Sequence, residues 1–337
     1  MKSLRLFGPG DLRLVDEDPP VPGPDEELVR VTAVGICGSD LHWYAESQIG
    51  DAVLSRPLVL GHEAGGTIES GLRRGQRVAI DPNIPCEACE QCRAGHRHLC
   101  LDLRFAGHGP TDGALREFVA WPARCLVPVA DSLDEADVAM LEPLGVALHA
   151  IRLAHIRPGA RVGVFGCGPI GLFLVQLARV SGATTVVATD VLPHRVEAAR
   201  EAGATIATQV ASGRERGELL EATGGHGVDV AFEVAGEDDS LETSIALAAP
   251  TGQVVIVGIP SKDRMFFSAS TARRKGLTIK FSRRMNRVYP DVIRLVGAGL
   301  IDVRSVVTAS YPMSEFKTAF AAAAAREGLK VVVRPSA

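Results

Sequence analysis

The segment from Gly35 to Trp43 reads GICGSDLHW, and a second segment from Leu58 to Gly66 reads LVLGHEAGG. Together they place a thiol, an imidazole and a carboxyl group in one part of the chain, on Cys37, His62 and Glu63. A catalytic zinc ion takes such ligands and keeps one position open, whereas a structural zinc ion is closed by four protein ligands. Taken singly, each residue has an ordinary explanation as a buried thiol or a surface group, so the rest of the chain must decide.

Two further motifs accompany these segments. The sequence EPLGVALHA begins at Glu142, and a GxGxxG pattern runs from Gly166 to Gly171. In this combination the sequence resembles the medium-chain zinc-dependent alcohol dehydrogenases over essentially its whole length, and within them the sorbitol and polyol dehydrogenases. The resemblance implies two zinc ions per chain and an α/β fold that joins a mainly-β, GroES-like catalytic domain to a Rossmann domain. The expected ranges are 1–143 and 282–337 for the catalytic domain, 86–100 for its zinc lobe, and 144–281 for the Rossmann domain.

The composition is that of an ordinary soluble chain. The 337 residues are 46% hydrophobic and 23% charged, which is enough for two domains with full cores. At a net charge of -4, the chain has no excess of positive charge that would indicate binding to nucleic acid or to an anionic membrane. The N-terminus does not have the pattern of a signal peptide, and there is no apolar run of about eighteen residues. We therefore expect a cytoplasmic protein without nucleic-acid or membrane partners.

Residues beside Cys37 have assigned roles in the resembled family. The resemblance makes Ser39 the group that takes the substrate's proton, and His42 the group that receives it through the cofactor ribose and reaches solvent. It makes Asp40 the carboxylate that orients the ligand histidine, which metal-bound imidazoles usually need. An alcohol must lose its proton before hydride can leave, and a buried site requires a relay. Without the resemblance, a turn-capping hydroxyl and a surface histidine would be the simpler interpretations of Ser39 and His42.

Glu142 stands where other alcohol dehydrogenases place a further cysteine ligand. In the polyol branch, the resemblance implies that Cys37, His62 and Glu63 hold the catalytic zinc ion and that Glu142 contacts the water or substrate on it. A carboxylate makes the site more polar and more negative than a thiolate would. This suits a substrate with several hydroxyl groups.

Two pairs of residues are candidates for substrate contacts. Trp43 and Tyr44 are interpreted as pocket residues slightly ahead of core residues, because polyol dehydrogenases carry aromatic residues there. Arg283 matches an arginine that contacts cofactor and substrate in those enzymes. Arg284 stands where they have a tyrosine. If Arg284 faces the pocket rather than solvent, it favours an anionic group on the substrate, such as a phosphate or a carboxylate.

The chain has seven cysteines, and four of them form one cluster with spacings of two, two and seven residues. Four thiolates so spaced can close a tetrahedral zinc site and stabilise a loop with few hydrophobic residues. An iron–sulfur cluster is the competing interpretation, because it also takes tetrahedral sulfur ligands. The resemblance favours structural zinc, with the ligands Cys86, Cys89, Cys92 and Cys100.

The region from Arg161 onward alternates between strand and helix patterns. The glycines of the GxGxxG motif lie between an apolar strand and a helix, where a backbone can approach a pyrophosphate. Asp190 follows Gly171 by nineteen residues, ends a second apolar strand, and is placed to accept from a ribose hydroxyl. It also repels a 2'-phosphate, so NAD is favoured over NADP, with Arg195 as the residue that could accept phosphate. Further strands at 204–207, 228–232, 253–258 and 277–281 predict a six-stranded doubly wound sheet. The resemblance adds Val257, Gly258 and Ile259, which match family residues that contact the nicotinamide end. The full set assigned to the cofactor is Gly166, Gly168, Ile170, Gly171, Asp190, Arg195, Val257, Gly258, Ile259, Ser282 and Arg283.

The sequence thus predicts a zinc-dependent, NAD-linked dehydrogenase that oxidises a secondary hydroxyl of a polyol or sugar-like substrate to a ketone. Alternatives within the enzyme class are a polyol phosphate, an aldonic acid, an aldose or a threonine-like amino alcohol as substrate. A remote alternative is a cofactor-binding protein without catalysis, although such a protein would be expected to lose ligands that this chain retains. The family suggests a homo-oligomer, either a tetramer or a dimer.

Overall fold

The computed structural model describes residues 1–210, 215–260 and 263–336. The strands of the described residues, in chain order, are β1 Lys2–Gly8, β2 Asp11–Asp16, β3 Glu26–Gly35, β4 Gln48–Ile49, β5 Ala52–Val53, β6 Leu58–Val59, β7 Glu63–Ile68, β8 Arg77–Ile80, β9 Asn83–Ile84, β10 Arg104–Phe105, β11 Phe118–Pro122, β12 Leu126–Pro128, β13 Arg161–Phe165, β14 Thr185–Asp190, β15 Ile206–Gln209, β16 Val228–Glu233, β17 Ala248–Ile256, β18 Thr278–Phe281, β19 Val307–Pro312 and β20 Lys330–Arg334. The α-helices are α1 Gly38–Glu46, α2 Glu90–Arg93, α3 Glu135–Ala139, α4 Leu141–Ala154, α5 Pro169–Val180, α6 Pro193–Glu201, α7 Glu215–Ala222, α8 Asp238–Leu247, α9 Ala269–Lys275, α10 Tyr289–Gly297 and α11 Phe316–Ala325. Short 3-10 helices lie at Arg97–Leu99, Ala123–Cys125 and Met313–Glu315.

The chain forms two compact units, and the first is built from both chain ends. It comprises Met1–Pro143 and Asn286–Ala337. Its main sheet has the strand order β12-β8-β7-β3-β20-β19, with β11 also paired to β3. Alternating side chains of these strands, such as Val29, Val31 and Val333, pack into one core with α1 and α11. The central position of β3 means that its end, just before Cys37, is surrounded by structure on both sides.

The second unit, Leu144–Met285, contains a six-stranded parallel sheet. Its strand order is β15-β14-β13-β16-β17-β18, and every neighbouring pair is parallel. The four inner strands β13, β14, β16 and β17 are apolar runs buried largely on both faces, which is typical of a parallel sheet covered by helices. The order reverses between β13 and β16, which is the position where doubly wound sheets bind ligands. The predicted six-stranded doubly wound sheet is confirmed.

Strand boundaries differ from the predicted ones by a few residues. The strand expected at 204–207 lies at Ile206–Gln209, and the strand expected at 253–258 begins at Ala248 and ends at Ile256. Val257 and Gly258 leave the sheet because both backbone N–H groups donate to the carbonyl oxygen of Glu233. The helix bracketed by Pro193 and Gly203 begins at Pro193 and ends at Glu201. Within the described residues, no helix has the length and apolar character needed to cross a membrane.

Candidate active site and metal centres

The structure brings Cys37, His62 and Glu63 together. Their candidate ligand atoms all lie within 4.8 Å of one another. The reason is the antiparallel pairing of β3 with β7, which sets Gly35 opposite Glu63. Cys37 follows the end of β3 and His62 precedes the start of β7, so the two strands present both ligands at one end of the sheet. A thiol, an imidazole and a carboxyl group at this separation fit a zinc ion with one position open.

Gly35 is required by the side chain that lies over it. A Cβ atom at this position would stand 2.1 Å from Oε2 of Glu63 and 2.9 Å from the methyl carbon of Met140. No side chain fits in that space without moving the carboxylate. The glycine in GICGSD therefore makes room for a candidate ligand.

Asp40 fixes the backbone around two of the candidate ligands. One carboxylate oxygen accepts from the N–H of Cys37 at 2.9 Å, and the other accepts from the N–H of Gly61 at 3.0 Å. The second oxygen also lies 3.6 Å from Nδ1 of His62. Burial raises the pKa of Asp40, while His62 and the two backbone donors lower it. The predicted role of orienting His62 is consistent with this arrangement, which also holds the turns before Cys37 and His62.

Lys330 is a residue of this site that sequence reasoning missed. Its Nζ lies 2.7 Å from each carboxylate oxygen of Glu63 and donates to the carbonyl of Ile36 at 3.0 Å. The exposed fractions of the two side chains are 6% and 1%. Burial lowers the pKa of Lys330, but the acidic groups of Glu63, Cys37 and Asp40 together more than offset it, so the net pKa is raised. In the sequence this lysine merely begins a valine-rich strand, and only the pairing of β20 with β3 reveals its partner.

The electrostatics of the site favour a bound cation. Burial and then the Glu63 carboxylate raise the pKa of the Cys37 thiol to about 12. Burial raises the pKa of Glu142 to about 8, with His62 opposing the shift and Glu63 adding to it. Four acidic groups, on Cys37, Asp40, Glu63 and Glu142, thus share a region to which Lys330 brings positive charge. A divalent cation would stabilise the thiolate, because metal binding displaces the thiol proton.

The remaining predicted catalytic residues lie around the three ligands. Ser39, in the first turn of α1, has its hydroxyl 3.5 Å from Nε2 of His62. His42 is one turn further along α1, is partly exposed, and has Nδ1 3.9 Å from Glu46. Glu142 is buried in the first turn of α4, and it is not one of the three residues whose ligand atoms lie within 4.8 Å of one another. The geometry therefore separates a donor group of three from a nearby carboxyl group.

The two aromatic residues of α1 pack into the first unit. Trp43 belongs to its core with an exposed fraction of 1%, and its ring meets the ring of His108 edge-on at 5.5 Å. Tyr44 is partly buried against the same core and packs on Phe320 at 5.2 Å. From the sequence, a role in the substrate pocket was slightly favoured over a role in the core for both residues. For Trp43 the structure favours the core, because almost none of its ring reaches the surface.

The segment from Phe105 to Leu115 packs against the candidate ligands and the residues before them. The ring of Phe105 lies 5.2 Å from the ring of His62. The N–H of Gly113 donates to Val59, and the backbone N–H groups of Ala114 and Leu115 donate to Gly61 and Leu60. The segment GPTDGA has the composition of a turn, and the strand that follows it is β11.

The four lobe cysteines form the second group of potential metal ligands in the described part of the chain. The Sγ atoms of Cys86, Cys89, Cys92 and Cys100 lie within 4.8 Å of one another. Backbone N–H groups point at the sulfurs: Cys89 donates to Cys86 Sγ at 3.3 Å, and Cys86 donates to Cys100 Sγ at 3.2 Å. The backbone N–H groups of Leu101 and Cys92 lower the pKa of Cys89 to about 6. Four thiols with such donors fit a closed tetrahedral zinc site.

Replacing Cys100 with serine is expected to remove the lobe zinc ion and destabilise the protein. Structural zinc contributes on the order of 10–16 kcal/mol in zinc-finger peptides, because binding and folding of the loop are coupled. Elemental analysis should give one zinc ion per chain instead of two, and the thermal midpoint should fall. Cys125→Ser is the matched control, since this buried thiol lies outside the lobe and donates to the carbonyl of Asn83. Two zinc ions in Cys100→Ser would contradict the assignment.

The candidate cofactor residues of the second unit lie at the carboxyl ends of its parallel strands. The glycine turn follows β13, and Gly168 is the N-cap of α5, a helix of 12 residues with Pro169 in its first turn. Asp190 ends β14, where one carboxylate oxygen accepts from Cys167 N–H at 2.8 Å and the other from Leu192 N–H at 2.9 Å. Each oxygen keeps a lone pair for a further donor. Arg195 lies on α6, 3.7 Å from where a Cβ atom of Gly168 would stand. This turn and helix end fit a dinucleotide pyrophosphate.

The other residues predicted to contact the cofactor or the substrate lie directly after β17 and β18. Val257, Gly258 and Ile259 form the loop after β17, and Ile259 is exposed. Ser282 and Arg283 follow β18, and Arg283 is exposed. Arg284 is partly buried and has a φ of 55°.

Known proteins resemble this chain over its whole length. Residues 23–131 match the alcohol dehydrogenase GroES-like domain, and residues 169–298 match the zinc-binding dehydrogenase family. A sorbitol dehydrogenase of Bacillus subtilis strain 168 is 34% identical over 346 residues, covering 100% of this chain and 98% of the relative. A sorbitol dehydrogenase of Bos taurus is 35% identical over 340 residues, covering 98% and 95%. The solved structure of L-idonate 5-dehydrogenase from Escherichia coli K-12 has a TM-score of 0.90 at 29% identity, covering 99% and 97%. The predicted GroES-like and Rossmann combination is confirmed.

Proposed function

Because this chain belongs to the medium-chain zinc-dependent alcohol dehydrogenases, in their sorbitol and polyol branch, we propose that it oxidises a secondary hydroxyl of a polyol to a ketone. Zinc and a nicotinamide dinucleotide are its cofactors. The observation that carries the proposal is the donor set: Cys37, His62 and Glu63 converge, and the further acidic side chain beside them is the carboxyl group of Glu142 rather than a second thiol. Such a site is polar enough to bind neighbouring hydroxyl groups of one substrate.

Each residue has one task in the proposed reaction. When bound, zinc supplies Lewis acidity that lowers the pKa of a hydroxyl group, and the nicotinamide ring accepts hydride. Cys37, His62 and Glu63 hold the metal, while Asp40 and Lys330 hold the ligands. Ser39 stands at hydrogen-bond range of His62 on α1, where it takes the hydroxyl proton, and partly exposed His42 hands it to solvent. Glu142 binds the substrate's hydroxyl groups.

NAD is the proposed dinucleotide, and Asp190 supports this preference. Its carboxylate is held at the end of β14 by two backbone donors, where it accepts from a ribose hydroxyl and repels a 2'-phosphate. The chain is further proposed to act in the cytoplasm, since four metal-binding thiols persist in a reducing compartment. A homo-oligomer is proposed on the resemblance, and light scattering after gel filtration gives its subunit number.

A substrate panel tests the polyol proposal. The zinc-loaded protein is supplied with NAD and with sorbitol, xylitol, a polyol phosphate, an aldonic acid, an aldose, threonine and 2-propanol, and NADH formation is followed. We expect kcat/KM for a polyol to exceed that for 2-propanol by about 100-fold or more, since each additional bound hydroxyl contributes about 1 kcal/mol or more. Product analysis should identify a ketose. A preference for 2-propanol would refute the proposal.

An aldonic acid is a second candidate substrate, and two observations favour it. L-idonate 5-dehydrogenase shares the fold at a TM-score of 0.90. Arg283 and Arg284 follow β18, and a guanidinium group can bind a carboxylate through two hydrogen bonds. If an acid is the substrate, Arg284→Ala should raise KM for the acid by about 10-fold or more and leave KM for polyols unchanged. Arg287→Ala is the matched control, because Arg287 is exposed and also has a positive φ, of 52°. Equal KM values for wild type and Arg284→Ala would remove this candidate.

A further inference from the structure

Glu233 lies at the position where the parallel sheet reverses its strand order. It is the last residue of β16, whose neighbour β13 leads into the glycine turn. Ligands of doubly wound sheets bind outside the carboxyl ends of the strands at this reversal. The side chain has an exposed fraction of 0%, so it does not reach a ligand directly.

The carboxyl group of Glu233 organises the turn that follows β16. Its Oε1 accepts from the N–H groups of Ala235 and Gly236, each at 2.9 Å. Gly236 has a φ of 74°, in the left-handed region that favours glycine. The same turn is tied to the end of β13, because the N–H of Val234 donates to Phe165 at 2.9 Å. One carboxylate oxygen therefore fixes a turn next to the glycine motif.

The same residue also holds the loop that follows β17. The backbone carbonyl of Glu233 accepts from the N–H groups of Val257 at 2.8 Å and Gly258 at 3.1 Å. A Cβ atom on Gly258 would lie 2.2 Å from the nitrogen of Gly236 and 2.8 Å from Oε2 of Glu233. The two loops thus touch at their glycines, with the carboxyl group of Glu233 beside the contact.

Burying the carboxyl group of Glu233 lowers the stability of the folded protein. Burial raises the pKa of Glu233, against the opposing effect of Ser240 and the backbone donors. Its Oε2 is buried and accepts no hydrogen bond of good geometry among the described residues, because the nearby Ser240 hydroxyl donates to the carbonyl oxygen of Phe165 at 3.4 Å. A polar atom left in this state destabilises a protein, so the two hydrogen bonds that Oε1 accepts from the turn must offset this loss.

We propose that Glu233 is a positioning residue for the nicotinamide half of the cofactor, acting through the loop from Val257 to Ile259. This inference rests on the proposed function and on the resemblance, which implies that this loop contacts the nicotinamide end of the cofactor. The adenosine half is assigned to Asp190 and Arg195, which follow β14 on the other side of β13. Loss of the carboxyl group should therefore weaken one half of the cofactor site and spare the other.

The test compares two ligands that differ in the nicotinamide ring. Dissociation constants of NADH and of ADP-ribose are measured by calorimetry on the full chain. For Glu233→Ala we expect the constant for NADH to rise by about 10-fold or more and that for ADP-ribose to change by less than about 2-fold. Glu233→Gln keeps an acceptor oxygen for the two N–H groups and should stay within about 3-fold of wild type for both ligands.

Val228→Ala is the matched control for a purely structural effect. Val228 is fully buried at the opposite end of β16, so its truncation should lower the thermal midpoint and leave the ratio of the two constants unchanged. If Glu233→Ala does not fold, Gly258→Ala disturbs the same contact and must show the same selective loss. An equal loss of both ligands, or no loss, would overturn the inference while the proposed function stands. If the wild type binds ADP-ribose and NADH equally weakly, the cofactor assignment itself fails.

Discussion

Replacing His62 with alanine is expected to leave one zinc ion per chain and to lower kcat/KM for the polyol by about a thousandfold or more. The imidazole is one of three donors whose ligand atoms lie within 4.8 Å, so its loss leaves a thiol and a carboxyl group only. Lewis-acid stabilisation by a metal is worth several kcal/mol, and about 4 kcal/mol corresponds to a factor of a thousand in rate. Elemental analysis and NADH formation are measured on the same preparation.

A control at a second histidine distinguishes the loss of a zinc ligand from a general effect of replacing a histidine. His226→Ala removes an exposed imidazole in the turn before β16 and should retain two zinc ions and full activity. The lobe zinc ion should remain in His62→Ala, because its four cysteines are untouched. Near-normal activity of His62→Ala would rule out the proposed catalytic site.

Replacing Lys330 with methionine is expected to destabilise the protein by about 3–5 kcal/mol when only the lobe carries zinc. Breaking a buried ion pair leaves an uncompensated charge, which is the reason for this size of effect. Here the charge is the Glu63 carboxylate, whose two oxygens each lie 2.7 Å from the ammonium group. A second zinc ion should reduce the loss, because it supplies positive charge to the same carboxylate. Urea denaturation at one and at two zinc ions per chain measures both values.

Lys275→Met is the matched control for Lys330→Met. The ammonium group of Lys275 also donates to three oxygens, but these are the carbonyls of Ile245, Ala246 and Ala248. Its replacement leaves no charged partner behind, and zinc should not change the result. If the two variants lose the same stability with and without the second zinc ion, Lys330 does not act on Glu63 as argued.

Motifs with a fixed spacing were sufficient to predict much of this protein. The glycine motif between an apolar strand and a helix, with Asp190 following, predicted the parallel sheet that the structure has. The cysteine spacing predicted a group whose sulfurs do converge within 4.8 Å. Cys37, His62 and Glu63 were grouped through a resemblance, and the pairing of β3 with β7 provides the physical reason for their proximity.

Contacts between residues that lie far apart in the chain could not be predicted from the sequence. Lys330 is 267 residues away from Glu63, and its strand pattern gives no sign of a buried charge. For Trp43 the pocket role was placed slightly ahead of a core role because polyol dehydrogenases carry aromatic residues there, and local patterns do not distinguish a buried aromatic side chain from a pocket one. Glu233 was not singled out in the sequence, since its hydrogen bonds join two loops that follow different strands. Each of these depends on tertiary contacts between distant segments.

Measuring NADH formation from a polyol against the number of zinc ions bound per chain tests the assignment of the catalytic zinc site most directly. Zinc is added stepwise to metal-depleted protein with NAD and sorbitol or xylitol present. We predict no activity at one equivalent, when the four cysteines hold the metal, and a rise to full activity as the second equivalent binds Cys37, His62 and Glu63. Full activity at one equivalent, or none at two with any polyol, would contradict the account.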